Sequence, residues 1–389
     1  MMSPSQRLLP IDTVRGTAML FVGVSHISYF FTDSAAGLSS LFRAVGFFAT
    51  PNFLLMSGLA CGYQLAKSPL STTALKILDR GLFVLLIGHF VVAASLVYIV
   101  LPGTAFEHIV ITDTIGLMLC MAPVIRYFSA SHLISAGTTL FLLSSLVGFT
   151  WQPSSTVGAA VGGALLGIDV KILPDVGWIS ATLPMLGFFL VGVGVGKLVC
   201  EYRVTGRSEA IWNKLALTGA AAIGAAVLLN LARHLTKSLL LGHFGHETWV
   251  APMLALLDAR QKVPPSPAYA LFYGGIGVTL VGLVGLSSRA KLSTAVDRGI
   301  GFVAVLGRAS FVSYVVQQWL VEFTPHWLGF DVWLRSPTVS VIYLVGVIVM
   351  MFYVARSWDR RQGNRYLTVG LKALHQLPPL RPPPPHAIK

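Results

Sequence analysis

The chain has 389 residues, of which 54% are apolar and 11% charged, with a net charge of +13 and a mean hydropathy of +0.74. A soluble domain carries roughly a quarter charged residues, so so few charges cannot cover a soluble surface of this size. The positive charge does not mark nucleic-acid binding, because the basic residues gather in the connections between long apolar runs.

Ten such runs approach the ~20 residues that cross a hydrocarbon core as helix. Lipid offers the backbone no hydrogen-bond partner, so the runs are expected to be helical. A barrel would alternate apolar and polar residues, and these runs do not. In chain order they cover roughly 14–32, 41–66, 79–101, 109–127, 131–150, 177–198, 213–232, 267–287, 300–323 and 337–355. No small-x-small cleavage site follows the first run, which is expected to be a retained anchor. Segments 157–168 and 249–257 are too short to cross alone and are expected to be re-entrant or interfacial. The stretch 233–266 reads as the largest polar-rich connection. It contains His234, His243 and His246, but HxxH in a Gly-rich loop is a weak ligand pattern, and no metal site is expected. Cys61, Cys120 and Cys200 lie far apart in or beside apolar runs, with no CxxC, and read as small core residues.

Charge sets the expected orientation. With the N-terminus in the cytoplasm, twenty Lys and Arg fall on the inner side and seven on the outer side, while Arg308 falls within a span. That asymmetry is the positive-inside pattern. An even number of spans puts both termini in the cytoplasm. The expectation is an all-α polytopic integral membrane protein of about ten transmembrane helices. Residues 1–372 form one membrane domain, and 373–389 form a Pro-rich disordered cytoplasmic tail. Loop charge and the absence of organelle signals point to a bacterial-type inner membrane.

Ionisable groups inside spans are costly and mark candidate sites. The first helix has the strongest set: Asp12 just before the apolar run, then Arg15 and His26. Arg15 and His26 are eleven residues apart, which returns to nearly the same helix face about 16 Å further along. Asp12 lies three residues before Arg15, where the two can pair, and near the helix start, where a carboxylate is favoured. His89 falls within the third run, as packing residue or site. Asp113 opens the fourth; it either caps that helix, orients His26 or binds an acceptor. Arg308 either binds a donor or carboxylate or forms a structural ion pair. Asn52 and Gln317 are polar groups on apolar helices, read as interhelical glue or substrate contacts. Pro264-Pro265 shapes the start of the 267–287 run.

The pattern Asp12-x-x-Arg15-Gly16 with His26 eleven residues after Arg15 resembles the membrane acyltransferase superfamily. That group includes the acyltransferase-3 family, the glucan-modifying OpgC proteins and the catalytic domain of heparan-α-glucosaminide N-acetyltransferases. Thr50-Pro51-Asn52-Phe53 through Ser57-Gly58 is similar to its second helix, and Ile111-Thr112-Asp113 with Ile115-Gly116 to a later helix opening. Lys262-Val263-Pro264-Pro265-Ser266 is similar to a "K-x-PPS" turn of the heparan N-acetyltransferase-like branch. Leu306-Gly307-Arg308-Ala309-Ser310 through Tyr314 resembles a late helix. The likeness runs from residue 7 to about 320. Two positions depart from it: Gly46-Phe47-Phe48-Ala49 and Gln317-Gln318 stand where many relatives carry histidine.

The resemblance implies transfer of an acyl group, acetyl foremost, from acyl-CoA to a hydroxyl or amine of a sugar or glycan acceptor. Acyl-CoA is a co-substrate, and no permanently bound cofactor is expected. Histidine suits the general base, because its pKa lies near neutrality, and arginine suits the phosphates of coenzyme A. The assignment is His26 as base, Arg15 as donor-orienting cation and Asp12 as its positioner, with an acyl-histidine intermediate left open. Asp113, His89, Arg308, Asn52, Lys262 and Gln317 are the candidate substrate-binding residues. The expected partners are membrane lipid, acyl-CoA and a carbohydrate-type acceptor. Buried charges and Gly-rich helices also fit a transporter of a small polar or anionic solute, although no inverted repeat is visible.

Overall fold

The structure is a computed structural model. It describes residues 8–30, 36–68, 71–98, 105–107, 109–168, 181–244, 249–287 and 294–370. The expected Pro-rich tail lies outside the described residues, as do His246 and the side chain of His243.

Helices account for nearly all regular structure. In chain order these are α1 (Leu9–Ile27), α2 (Ala36–Gly46), α3 (Ala49–Lys67), α4 (Ser71–Phe83), α5 (His89–Ala93), α6 (Ile111–Cys120), α7 (Ala122–Ile125), α8 (Ala130–Thr150) and α9 (Thr156–Leu166). They continue with α10 (Thr182–Val204), α11 (Ser208–Phe244), α12 (Val250–Leu256), α13 (Pro267–Tyr269), α14 (Gly275–Ser287), α15 (Thr294–Arg308), α16 (Ser310–Gln318), α17 (Thr324–Leu328) and α18 (Pro337–Arg360). Among the described residues there is no strand, only an isolated bridge between Lys262 and Pro265. Local chemistry marks several boundaries. The hydroxyls of Ser129, Ser155 and Ser266 cap α8, α9 and α13 by accepting from backbone N–H groups. Gly167, at φ +76°, ends α9 in the left-handed conformation that glycine tolerates.

Seven described helices are long and apolar enough to cross a membrane, or up to eight if a bent pair counts as one span. These seven are Gly37–Lys67, Thr72–Leu96, Ala130–Thr150, Thr182–Val204, Ser208–Leu240, Pro267–Ser287 and Pro337–Arg360. The protein is thus an all-α polytopic membrane protein. Four expectations need revision. The run expected at 300–323 is broken: α15 and the following Ser310–Leu328 segment meet at 81°. Arg308 therefore stands at a corner, not in mid-span. The run expected at 109–127 is divided between the short α6 and α7. The 233–266 connection is shorter than expected, because α11 continues to Phe244. The first run is carried by α1, nineteen residues long, whose Asp12, Arg15 and His26 make it more polar than the seven.

Small residues set the two tightest crossings. In lipid, helices associate through van der Waals contact, which small residues permit at close range. Gly16 of α1 faces the Val303 carbonyl of α15, and Gly307 of α15 faces the Asp12 carbonyl of α1; an added Cβ at either would overlap backbone. Gly58 and Gly62 of α3 face the Phe189 and Val193 carbonyls of α10 in the same manner. The α1–α15 crossing fixes the height of Arg15 against the α15–α16 corner. Overpacking a core typically costs about 1–3 kcal/mol. Gly16→Ala and Gly307→Ala are each expected to lower the thermal midpoint in detergent. Gly224→Ala, where a Cβ meets nothing within 4 Å, is expected to leave it unchanged.

Candidate functional site

A cavity of about 850 Å³ runs inside the bundle along α1, and both Arg15 and His26 line it, together with Asp12. The remaining wall comes from α3, α4, α6, α16, the Lys262 turn and the segment after α18. Its two ends differ in chemistry.

At one end Arg15, Arg308 and Arg80 are linked through Gly307 and Asn364, and Lys67 is a further cation of the wall. The Arg15 guanidinium is held on two sides: Nη2 donates to Asp12 Oδ1 at 2.9 Å and Nε to the Gly307 carbonyl at 2.8 Å. That fixes a planar donor fork at the cavity wall. Arg308 is bound to Asp359 at 2.8 Å, so the ion-pair alternative for this residue is realised while it still lines the cavity. Asn364 donates to the Arg308 carbonyl at 2.8 Å, and its own carbonyl accepts from Arg80 at 3.1 Å. The chain after α18 thus folds back over the cationic end. Asp79 holds that segment further, accepting from Val369 N–H at 3.1 Å and from the Thr368 hydroxyl.

Toward the other end, His26 Nδ1 lies 2.9 Å from Glu322 Oε1 and 3.0 Å from the Gln317 amide. Side-chain amide orientation is assigned from the hydrogen-bond network, not observed. A carboxylate can only accept, so Nδ1 must carry the proton, and the Gln317 carbonyl oxygen then belongs beside it. With the amide turned that way, the buried Gln317 oxygen otherwise without a partner accepts from Nδ1 as well. Protonation at Nδ1 puts the basic lone pair on Nε2. Glu322 sits in a π-helical turn, Trp319–Phe323, between α16 and α17. The extra residue of a π-turn reorients side chains, and such turns gather at functional sites. A second π-turn, Val84–Gly88, immediately precedes His89.

Lys262 also lines the cavity. It lies in a tight turn closed by the bridge to Pro265 and braced by a bond from the Ser266 hydroxyl to the Asp258 carbonyl at 2.6 Å. Burial holds the Lys262 ammonium below its usual range. Tyr314 of α16 is a further buried wall residue.

The other candidates fall elsewhere. Asp113 does not orient His26. Its Oδ2 lies 3.0 Å from His89 Nδ1 and accepts from Val110 N–H at 2.9 Å, so it caps α6 and anchors His89. His89 Nε2 lies 2.9 Å from the Phe106 carbonyl. With an acceptor at each ring nitrogen, His89 ties three chain segments together. Neither residue is part of the cavity wall. Asn52 is fully buried and donates to the carbonyls of Phe48 and Tyr273, both at 2.8 Å. That is the interhelical role, with Gly277 leaving room for its side chain. Gln317 stands behind His26 and is not part of the wall. Sequence reasoning missed Glu322, Lys67 and Arg80. Glu322 had a signal, being the lone acid on the Ser310–Leu328 segment. Lys67 and Arg80 stand at the ends of apolar runs, where basic residues are ordinary; only folding turns them to the cavity. Among the described residues no group of His, Cys, Asp and Glu is placed to hold a metal ion.

A comparison with curated proteins finds no match. The sequence profile of the heparan-alpha-glucosaminide N-acetyltransferase catalytic family matches residues 7–235. The matched stretch covers more than half of the chain and supplies Asp12, Arg15, His26, Lys67 and Arg80. Glu322, Lys262, Arg308 and Tyr314 lie outside it. The chain is therefore a multi-pass membrane protein of acetyltransferase type, and it belongs to the heparan-alpha-glucosaminide N-acetyltransferase catalytic family.

Proposed function

We propose that the protein transfers an acetyl group from acetyl-CoA to a hydroxyl or amine of a sugar-type acceptor within the cavity along α1. The observation that carries this reading is that Arg15 and His26, about 16 Å apart on one helix, line one continuous space. The cationic end, with Arg15, Lys67, Arg80 and Arg308, suits the phosphates of coenzyme A, since guanidinium forks bind phosphate with two parallel hydrogen bonds. The acceptor then approaches from the side of Lys262. Charge asymmetry puts the cationic end at the cytoplasm, where acetyl-CoA is made, and a bacterial-type inner membrane fits that polarity.

Chemistry follows at His26. Its Nε2 takes a proton from the acceptor amine or hydroxyl as the acceptor attacks the thioester carbonyl carbon. The tetrahedral intermediate collapses with cleavage of the C–S bond. The departing thiolate takes the proton from His26, which restores the neutral imidazole. Glu322 holds Nδ1–H throughout and stabilises the transient imidazolium. A histidine held by a carboxylate at one nitrogen presents the other in a fixed orientation, the arrangement general-base catalysis requires.

The test is CoA release by purified full-length protein supplied with acetyl-CoA and glucosamine-type acceptors. A general base typically contributes about 10²–10⁴-fold. His26→Ala is expected to lower kcat by that amount when turnover is normalised to the folded protein in the membrane; undiminished turnover in this variant would remove His26 from the reaction. Glu322→Gln is expected to lower kcat while leaving the KM for acetyl-CoA near its original value, since it acts on the base and not on the donor.

The two ends predict opposite kinetic signatures. Arg15→Gln is expected to raise the KM for acetyl-CoA. Lys262→Gln is expected to raise the KM for the acceptor and leave that for acetyl-CoA unchanged. Exchanged signatures would reverse the assignment of the ends.

A further inference from the structure

A second cavity, of about 670 Å³, opens between α15 and α18. Four guanidiniums line it: Arg298, Arg308, Arg356 and Arg360. The carboxylate there is Asp359, which is bound to Arg308. The cavity thus keeps a strong positive excess. Its wall includes the stacked pair Phe302 and Phe352, with ring centres 4.4 Å apart at 25°, and the Arg356 guanidinium carbon lies 5.8 Å from the Phe352 ring centre. Gly299 and Gly301 leave the groove open, since a Cβ at either meets nothing within 4 Å.

The surroundings identify the ligand class. On α18, Val349, Tyr353, Arg356 and Arg360 follow at intervals of four, three and four residues and share one helix face. Val349 is 47% and Tyr353 65% exposed, and α18 is one of the membrane-crossing helices. An exposed apolar face therefore runs directly into the arginine cluster. On the other side α15 turns away from the following segment at 81° with its first residues exposed, as a helix lying along the membrane surface does. A free phosphate compound has no use for the apolar face, whereas a phospholipid occupies both parts at once. Basic pockets beside transmembrane helices are known to hold anionic headgroups.

We propose that the groove between α15 and α18 binds an anionic phospholipid of the surrounding bilayer. Its phosphate lies among Arg298, Arg356 and Arg360, and its acyl chains run along Val349 and Tyr353. The site is distinct from the transfer cavity and touches it only through Arg308. A bound lipid would pin α15, and with it the α1–α15 crossing that sets the height of Arg15.

The experiment titrates detergent-solubilised full-length protein with phosphatidylglycerol and, separately, phosphatidylcholine. Each arginine near a charged headgroup is worth about a fivefold change in affinity. Phosphatidylglycerol is expected to bind more tightly than phosphatidylcholine. The combined variant R298Q/R356Q/R360Q is expected to bind phosphatidylglycerol roughly a hundredfold more weakly. The matching R298K/R356K/R360K variant keeps the charges and is expected to retain most of the affinity, which separates loss of charge from loss of fold. Equal binding of the two lipids, or unaltered phosphatidylglycerol binding by the glutamine variant, would overturn the proposal. Displacement of phosphatidylglycerol from the unmodified protein by inorganic phosphate or coenzyme A would overturn it too, by assigning the groove to a soluble phosphate.

Discussion

An imidazole inside a membrane bundle needs a partner, and here a carboxylate from the far end of the chain provides it. The 2.9 Å contact between His26 Nδ1 and Glu322 Oε1 joins α1 to the π-turn after α16. Each gives the other a hydrogen-bond partner, and a buried polar group stripped of its partner typically costs about 1–3 kcal/mol. Together they fix the tautomer, tie the first helix to the last third of the chain, and aim one nitrogen. The Asp12–Arg15–Gly307 cluster repeats the logic at the other end of the same helix. Helix α1 is thus pinned twice by polar contacts, and the cavity lies between the pins.

The pinning explains why α1 tolerates three ionisable residues. Asp12 pairs with Arg15, Arg15 also reaches the Gly307 carbonyl, and His26 meets Glu322; all three line the cavity. It also explains the glycines at the α1–α15 crossing. Arg15 Nε reaches the Gly307 carbonyl only because Gly16 and Gly307 let the two backbones approach. A side chain at either position would lift α15 away and remove the acceptor that holds the guanidinium. Packing and site geometry are therefore a single constraint here.

The sequence made part of this legible. Apolar runs with few charges allow only a helical membrane protein, because lipid leaves the backbone no other way to satisfy its hydrogen bonds. The eleven-residue spacing placed Arg15 and His26 on one face, since helical periodicity is local geometry. What the sequence could not show was long-range partnership. Asp113 and Glu322 are both acids near the ends of apolar runs, and nothing local says which one meets His26 and which meets His89. The π-turns that aim Glu322 and precede His89 have no sequence signature of the kind that caps or glycines provide. The corner at Arg308 was also hidden, because α15 and α16 together read as one apolar run. Lys67 and Arg80 look like ordinary basic residues at helix ends for the same reason: how far such an end lies from the cavity depends on the tertiary fold.

On this reading, donor and acceptor meet in the space between the two pins of α1. The decisive experiment is a structure of the full chain with coenzyme A bound. The phosphates are expected among Arg15, Lys67 and Arg80, with the thiol reaching toward His26 Nε2. Coenzyme A seated outside this cavity, or with its phosphates at the Lys262 end, would contradict it.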